Sequence, residues 1–480
     1  MPPDPVLLLR RHLRYDAFRP GQEDLVRAVL AGRDALGILP TGGGKSVCYQ
    51  VPSLALGGLT LVVTPLVSLM EDQVDRARGA GLRAAHLSAA QTAAERRATL
   101  AQATSGALDI LFVAPERLEL MSFREALVAA DVRLLAVDEA HCISEWGHDF
   151  RPAYRRIGVL RGTLACPTLA LTATATPAVR DDVLGSLALT RPLVVVRSFD
   201  RPNLSWWVLR GRSLAERVVG VYALLRRLPG CAIVYAPTRR AVERVRDGLA
   251  GRGLATEAYH AGLPGPERSR VQAVFMKGAC RVVVATNAFG MGIDKPDVRT
   301  VVHVQLPGTL EAYYQEAGRA GRDGGPARCI AFHTRADKRL SRLFVDRTHP
   351  PVRELRALHR RLLRHVDAGG VVHLDAPELG WAEALVGEWL EDTGTGALAA
   401  LERVDAVRGV TSSTSPAIGV RRRWDVATAL RLRRGALAKV DAVQGYARGR
   451  GCRRRALLSY FGEDAPPRCG SCDRCGAEQG

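Results

Sequence analysis

The chain has 480 residues, 47% hydrophobic and 24% charged, a globular composition with room for two or three domains. No run approaches the roughly 18 apolar residues of a membrane span, and an opening with three prolines and an Asp does not read as a secretory signal. A membrane protein, a secreted disulfide scaffold and a disordered chain are excluded, and a net charge of +19 favours a polyanionic partner, most often nucleic acid. The preference for 63 arginines over five lysines is what a GC-rich coding sequence gives, but the sign of the charge is not.

In chain order, Ala35–Leu39, Leu59–Thr64, Asp109–Val113, Leu134–Asp138 and Leu169–Thr174 read as strands, apolar throughout as in a parallel sheet covered on both faces. Helical patterns at Glu23–Ala31, Ser68–Gly79 and Thr92–Thr104 lie between them, the rhythm of a doubly wound α/β domain. After a polar connector, Arg197–Asn203, the rhythm resumes with Cys231–Tyr235, Ala255–Tyr259, Arg281–Thr286, Thr300–Gln305 and Cys329–His333. Beyond these, Val352–Val366, Trp381–Leu390 and Ala397–Val407 read as helices, and Val371–Asp375, Gly409–Ser413 and Ile418–Trp424 as strands. That order suits a winged helix. The expected domains are 1–204, 205–345, 350–447 and 448–480.

Leu39-Pro-Thr-Gly-Gly-Gly-Lys-Ser46 stands between a predicted strand and a predicted helix. Thr41, Gly42, Gly43 and Gly44 let the backbone N–H groups curl around a phosphate chain; Lys45 reaches the β- and γ-phosphates and Ser46 ligates Mg²⁺. A glycine-rich turn with a chance Gly-Lys-Ser is the bland alternative. Asp138 and Glu139 disfavour it, because they place two carboxylates at the carboxyl edge of the same sheet. Asp138 suits Mg²⁺ and Glu139 suits activation of an attacking water.

Asp138-Glu-Ala-His-Cys-Ile-Ser-Glu-Trp-Gly-His-Asp-Phe-Arg-Pro152 resembles the Walker B box and aromatic-rich loop of RecQ-type DNA helicases. Phe18-Arg-Pro-Gly-Gln22 is similar to that family's adenine motif and Leu171-Thr-Ala-Thr-Ala175 to its coupling motif. Thr286-Asn-Ala-Phe-Gly-Met-Gly-Ile-Asp-Lys-Pro296 and Gln315-Glu-Ala-Gly-Arg-Ala-Gly-Arg-Asp-Gly324 resemble its fifth and sixth motifs. The resemblance spans about residues 5–345 and implies two tandem RecA-like domains, ATP with Mg²⁺, and 3′ to 5′ movement on single-stranded DNA. It also implies unwinding of duplex DNA in repair, recombination or replication restart, in the cytoplasm or on a nucleoid.

By the same resemblance Arg19 and Gln22 grip the adenine, His141 joins the hydrolytic centre, and Asp294 and Gln315 line the nucleotide pocket. Arg322 is the arginine that reaches the γ-phosphate from the second domain, with Arg319 its neighbour. Trp146, His148, Phe150 and Arg151 are the candidate DNA sensor, since aromatics directly after the carboxylates let base stacking reposition them. The chain has Glu145 where the family commonly has Gln.

Cys452, Cys469, Cys472 and Cys475 form a C-x16-C-x2-C-x2-C pattern suited to one structural Zn²⁺. Gly451–Gly462 resembles the helix that opens the family's zinc module. The chain ends five residues beyond Cys475, so the winged-helix and helical domains that often follow in the family are not expected. The stretch 350–447 carries none of the family's motifs. From Arg421 to Arg455 the net charge is +10, and Arg421, Arg422 and Arg423 are expected on a wing strand that grips duplex phosphates. No membrane partner is expected, and the sequence names no protein partner. The rival readings are an RNA helicase and a nucleotide-binding DNA clamp.

Overall fold

The computed structural model describes residues 3–40, 42–65, 67–88, 91–144, 147, 150–290, 295–374, 396–410 and 417–476. They divide into two compact units, one of Met1–Leu306, Glu311–His333 and Gly449–Gly480, the other of Pro307–Leu310 and Thr334–Arg448.

The first unit contains two parallel sheets. The first comprises β1 (Ala35–Ile38), β2 (Leu59–Val63), β3 (Ala84–Leu87), β4 (Ile110–Val113), β5 (Val132–Val137), β6 (Thr168–Thr172) and β7 (Leu193–Val196) in the order β3-β4-β2-β5-β6-β1-β7. Every residue of β1, β2, β4 and β6 is buried. This is why the interior strands read as unbroken apolar runs. β3 and β7 are the edges and were not expected: β3 carries only Ala84, Ala85, His86 and Leu87, and β7 is covered at alternate residues.

The second sheet comprises β8 (Leu204–Arg210), β9 (Cys231–Tyr235), β10 (Thr256–Tyr259), β11 (Val282–Ala285), β12 (Val298–His303) and β13 (Ala327–His333), ordered β10-β11-β9-β12-β13-β8 with every pair parallel. β8, another edge, also escaped the sequence reading. Each sheet has its own apolar core, around Val62 and its cross-strand partners Phe112 and Ala136 in the first and around Val234, Val284 and Val302 in the second. The expected pair of tandem RecA-like domains is present.

In the second unit β14 (Val371–His373), β15 (Val407–Val410) and β16 (Ala417–Val420) form an antiparallel sheet with β16 in the centre. Helix Val352–Leu362 buries Leu355, Leu358, His359 and Leu362, the spacing of one helical face. They pack with Leu401, Ile418 and Leu432. Two expectations need correction. The helix expected to run to Val407 spans Gly396–Arg403, and Val407 begins β15, where β-branched Val suits the sheet. β16 ends at Val420, so Arg421, Arg422 and Arg423 lie on the connection to helix Val426–Arg448, not on a wing strand. The helix expected at Trp381–Leu390 lies outside the described residues.

Candidate nucleotide site and metal centre

The phosphate loop follows the last residue of β1 and runs into helix Val47–Leu56. Gly42 and Gly44 have φ of +80° and +69°, which a side chain would strain. A Cβ on Gly43 would stand 2.7 Å from the Pro40 carbonyl oxygen, so this turn closes only with glycine. The loop is held from the adenine-motif side. Gln22 Nε2 donates to the carbonyls of Gly43 and Gly44, each at 2.9 Å, and Arg19 Nη1 donates to that of Gly42. Gln22 Oε1 accepts from the Arg19 N–H at 2.8 Å. The two residues expected to grip a base are thus wired to the residues expected to hold its phosphates. Lys45 and Ser46 are half-buried at the head of the helix; Thr41 lies outside the described residues.

Asp138 and Glu139 follow β5 directly. Glu139 has φ +46° and ψ +47°, the left-handed region, where a residue with a Cβ is strained. Its N–H donates to Asp138 Oδ1 at 3.0 Å, and the Tyr154 hydroxyl donates to the Asp138 carbonyl at 3.0 Å. Burial, then the adjacent Glu139 charge, pushes the Asp138 carboxyl up to about 6, while Lys45 and a hydrogen bond from Gln73 pull it down. A buried and a half-buried carboxylate forced together are a donor set that fits a hard divalent cation such as Mg²⁺. His141 is buried with Nδ1 2.9 Å from Thr172 Oγ1 and 3.3 Å from Glu139 Oε2. It therefore joins the second carboxylate to the motif Leu171–Ala175.

The second sheet supplies the arginines. The loop after helix Leu310–Ala317, which carries Gln315, brings Arg322 against the phosphate loop: a Cβ on Gly42 would lie 3.5 Å from Arg322 Cγ and 3.8 Å from its Nε. Residues 280 apart in sequence meet there. Arg319 is buried beside Gly290 and hydrogen-bonds Tyr235, whose hydroxyl donates to the Phe289 carbonyl at 3.2 Å. Burial pushes the Tyr235 hydroxyl up to about 12, which keeps it a donor. Asp294 lies outside the described residues.

Of the candidate DNA sensor, Trp146 and His148 lie outside the described residues. Phe150 is half-buried under the Arg155 guanidinium, 5.2 Å from its ring centroid. Arg151 Nη1 donates to the Pro65 carbonyl at 3.2 Å, which ties the end of this loop to the end of β2. Ser144 at its start donates to Asp182 at 2.6 Å. Arg421, Arg422 and Arg423 are exposed; Arg421 pairs with Asp405 at 2.8 Å and its carbonyl lies 2.7 Å from His359 Nε2.

The four clustered cysteines converge as their spacing implied, with all sulfurs within 4.8 Å of one another. Tetrahedral Zn–S bonds of about 2.3 Å set sulfurs roughly 3.8 Å apart, so the quartet fits Zn²⁺ after slight contraction. Burial raises the thiol of Cys469, but the N–H and hydroxyl of Ser471 with the neighbouring thiols outweigh it and bring it to about 6. The Arg453 N–H reaches Cys472 Sγ at 3.4 Å. Arg453 is itself fully buried and clamps Asp473 through two bonds of 2.9 and 3.0 Å.

Gln73 at the carboxylates and Tyr235 beside Arg319 were not singled out by sequence. Gln73 sits among Asp72, Asp75 and Arg76 on an ordinary polar helix, and only the fold distinguishes it.

A phosphate loop and paired carboxylates on one parallel sheet, met by an arginine from a second such sheet, define a nucleotide site of the tandem RecA-like class. The DEAD/DEAH box helicase family matches residues 19–183, the helicase conserved C-terminal domain residues 216–324, and the RecQ zinc-binding family residues 420–476. The chain belongs to the RecQ family of ATP-dependent DNA helicases. It is 44% identical over 350 residues to ATP-dependent DNA helicase RecQ of Pasteurella multocida, covering 72% of this chain and 54% of that protein. It thus spans little more than half the length of that relative. It is 35% identical over 469 residues to the probable ATP-dependent DNA helicase RecS of Bacillus subtilis, covering 96% of this chain and 90% of that one. That alignment takes in most of the stretch 350–447, which carries none of the motifs of the first two domains. Mycobacterium smegmatis helicase Lhr bound to ssDNA and AMP-PNP shares the fold, with a TM-score of 0.56 at 23% identity over 90% of this chain and 62% of that one.

Proposed function

We propose that the chain is an ATP-dependent DNA helicase that moves 3′ to 5′ on single-stranded DNA and separates duplex DNA. The observation that carries this is Arg322 lying against Gly42 of the phosphate loop. Hydrolysis there needs both parallel sheets in register, which makes turnover a measure of their closure. Lys45 and the loop N–H groups hold the triphosphate. Asp138 and Ser46 hold Mg²⁺, which neutralises charge on the phosphates when bound. Glu139 takes the proton of the attacking water, and its strained backbone keeps the carboxylate aimed. Arg322 stabilises the charge developing in the transition state, with Arg319 and Tyr235 beside it.

The aromatic loop begins three residues after His141, which bonds Thr172. DNA bases stacking on Trp146 or Phe150 would move Glu139 through this short path, so DNA is both track and activator. Asp294 and Gln315 complete the pocket, and Arg421, Arg422 and Arg423 are assigned to duplex phosphates. The four domains are read as 1–204, 205–345, 350–447 and 448–480, with a winged helix in the third and Zn²⁺ in the last. No helix among the described residues is long and apolar enough to cross a membrane; cytoplasmic work on the nucleoid in repair, recombination or replication restart is the setting proposed. The test is ATP-dependent strand displacement on duplexes with a 3′ or a 5′ single-stranded tail. Displacement is expected from the 3′ tail alone, and activity from the 5′ tail would reverse the polarity.

A further inference from the structure

The connector between the two parallel sheets, residues 197–203, takes no part in the nucleotide chemistry above, yet two of its polar side chains, Arg201 and Asn203, converge on one loop. Arg201 Nη1 donates to the Gly318 carbonyl at 3.2 Å, and its Nη2 to those of Ala320 at 3.0 Å and Gly321 at 2.9 Å. Asn203 Nδ2 donates to the carbonyls of Gly321 at 2.8 Å and Gly325 at 2.9 Å. The loop 318–325 carries both Arg319 and Arg322. At Gly321, with φ +55°, an added Cβ would stand 2.5 Å from Asn203 Nδ2. There is no room to back away.

The connector is itself fixed from the other side. Arg454 Nη2 donates to the carbonyls of Pro202 and Leu204, each at 3.0 Å, and the Phe199 N–H donates to Glu463 at 2.8 Å. Phe461 stacks on Phe199 with ring centroids 4.5 Å apart. Arg454 lies in helix Arg453–Tyr460 of the cysteine module, and Phe461 and Glu463 follow it directly. The connector's first residue, Arg197, lies against the adenine motif, where a Cβ on Gly21 would meet its Nε at 2.8 Å. A charged fork bonded to three carbonyls is a rigid hold, since each bond is charge-assisted and the guanidinium plane fixes their relative directions.

We propose that Arg201, with Asn203 beside it, is the positioning residue for the γ-phosphate arginine: it holds loop 318–325 so that Arg322 stays against the phosphate loop. This rests on the reading of Arg322 as the transition-state arginine. Arg201 touches carbonyls and no nucleotide, so its loss should spare ground-state binding and cost the transition state. Lys carries one compact donor cluster in place of the planar fork and should rescue only in part.

The test uses the full chain as Arg201→Gln, Arg201→Lys, Arg322→Ala and the Gln/Ala double variant. Three quantities are measured: single-strand-stimulated ATPase, affinity for ADP with and without aluminium fluoride, and the thermal midpoint. Arg201→Gln should lower kcat by roughly ten- to a hundredfold, the cost of a misplaced catalytic group, at little change in KM. Affinity for ADP with aluminium fluoride should fall by a like factor while ADP affinity and the midpoint hold. Arg201→Lys should fall between, and the double variant should be no slower than Arg322→Ala, because Arg201 acts through Arg322. Should Arg201→Gln not fold, Asn203→Ala carries the same cycle. An unchanged kcat, losses that multiply in the double variant, or a parallel fall of midpoint and ADP affinity would each overturn the proposal. A normal rate for Arg322→Ala would remove the arginine reading and this proposal with it. A slow Arg322→Ala beside a normal Arg201→Gln would remove this proposal alone.

Discussion

Asp138→Asn should make the nucleotide-free protein more stable while it abolishes turnover. Asp138 is 8% exposed, and burial beside Glu139 raises its carboxyl from 3.8 to about 6 despite Lys45. Its ionised form is therefore disfavoured in the folded chain by ~3 kcal/mol at neutral pH. Asn removes that cost but weakens the acceptor for the Glu139 N–H and for Gln73, which returns ~1–2 kcal/mol. The net gain is ~1–2 kcal/mol, or about 2–8 °C in the midpoint of a domain of this size. The assay is thermal unfolding without nucleotide in EDTA, at pH 7.5 and at pH steps down to about 4. The folded pKa is the raised one, so the cost is present above about 6, shrinks as pH falls through that value and is gone below 3.8. The gap between variant and wild type should close on acidification. With Mg²⁺ and ATP present the order should invert, because the cation gives the charge a partner. An Asn variant less stable than wild type at pH 7.5, or a gap that widens in acid, would refute the reasoning.

Glu139→Gln should keep ATP and DNA binding and lose multiple-turnover hydrolysis, and Lys45→Ala should lose hydrolysis through lost phosphate contacts; steady-state ATPase with filter binding checks both. Phe150→Ala should leave basal ATPase and thermal midpoint near wild type and blunt DNA stimulation, whereas a joint fall would return Phe150 to the core. Elemental analysis of protein purified without added metal should give about one zinc per chain, lost in Cys472→Ser, whose parent residue is fully buried in the cluster. Replacing Arg421, Arg422 and Arg423 with Ala should weaken duplex binding and flatten its salt dependence by up to about three charges, while single-strand-stimulated ATPase survives.

The parts legible in the sequence share a physical trait. Interior strands such as Leu59–Val63 are buried on both faces and so read as apolar runs, and the glycines at 42–44 announce a loop no side chain could close. The cysteine spacing specified its own cluster. Of the four edge strands of the parallel sheets only β10 was legible, because β3, β7 and β8 are only partly covered and carry no pattern distinct from a loop. Nor was Arg201, one of 63 arginines. Its meaning lies in three backbone carbonyls more than 115 residues away, and main-chain acceptors leave no mark on a sequence. Arg421 to Arg423 were legible as charge but not as conformation, since a strand three residues longer would have included them.

The most direct test of the account is steady-state ATP hydrolysis by the full chain with and without single-stranded DNA, beside Arg322→Ala. Hydrolysis is expected to rise steeply with single-stranded DNA, and Arg322→Ala should bind ATP normally yet fail to respond. A rate indifferent to DNA, or a DNA response that survives loss of Arg322, would contradict a motor whose active site is completed from its second domain.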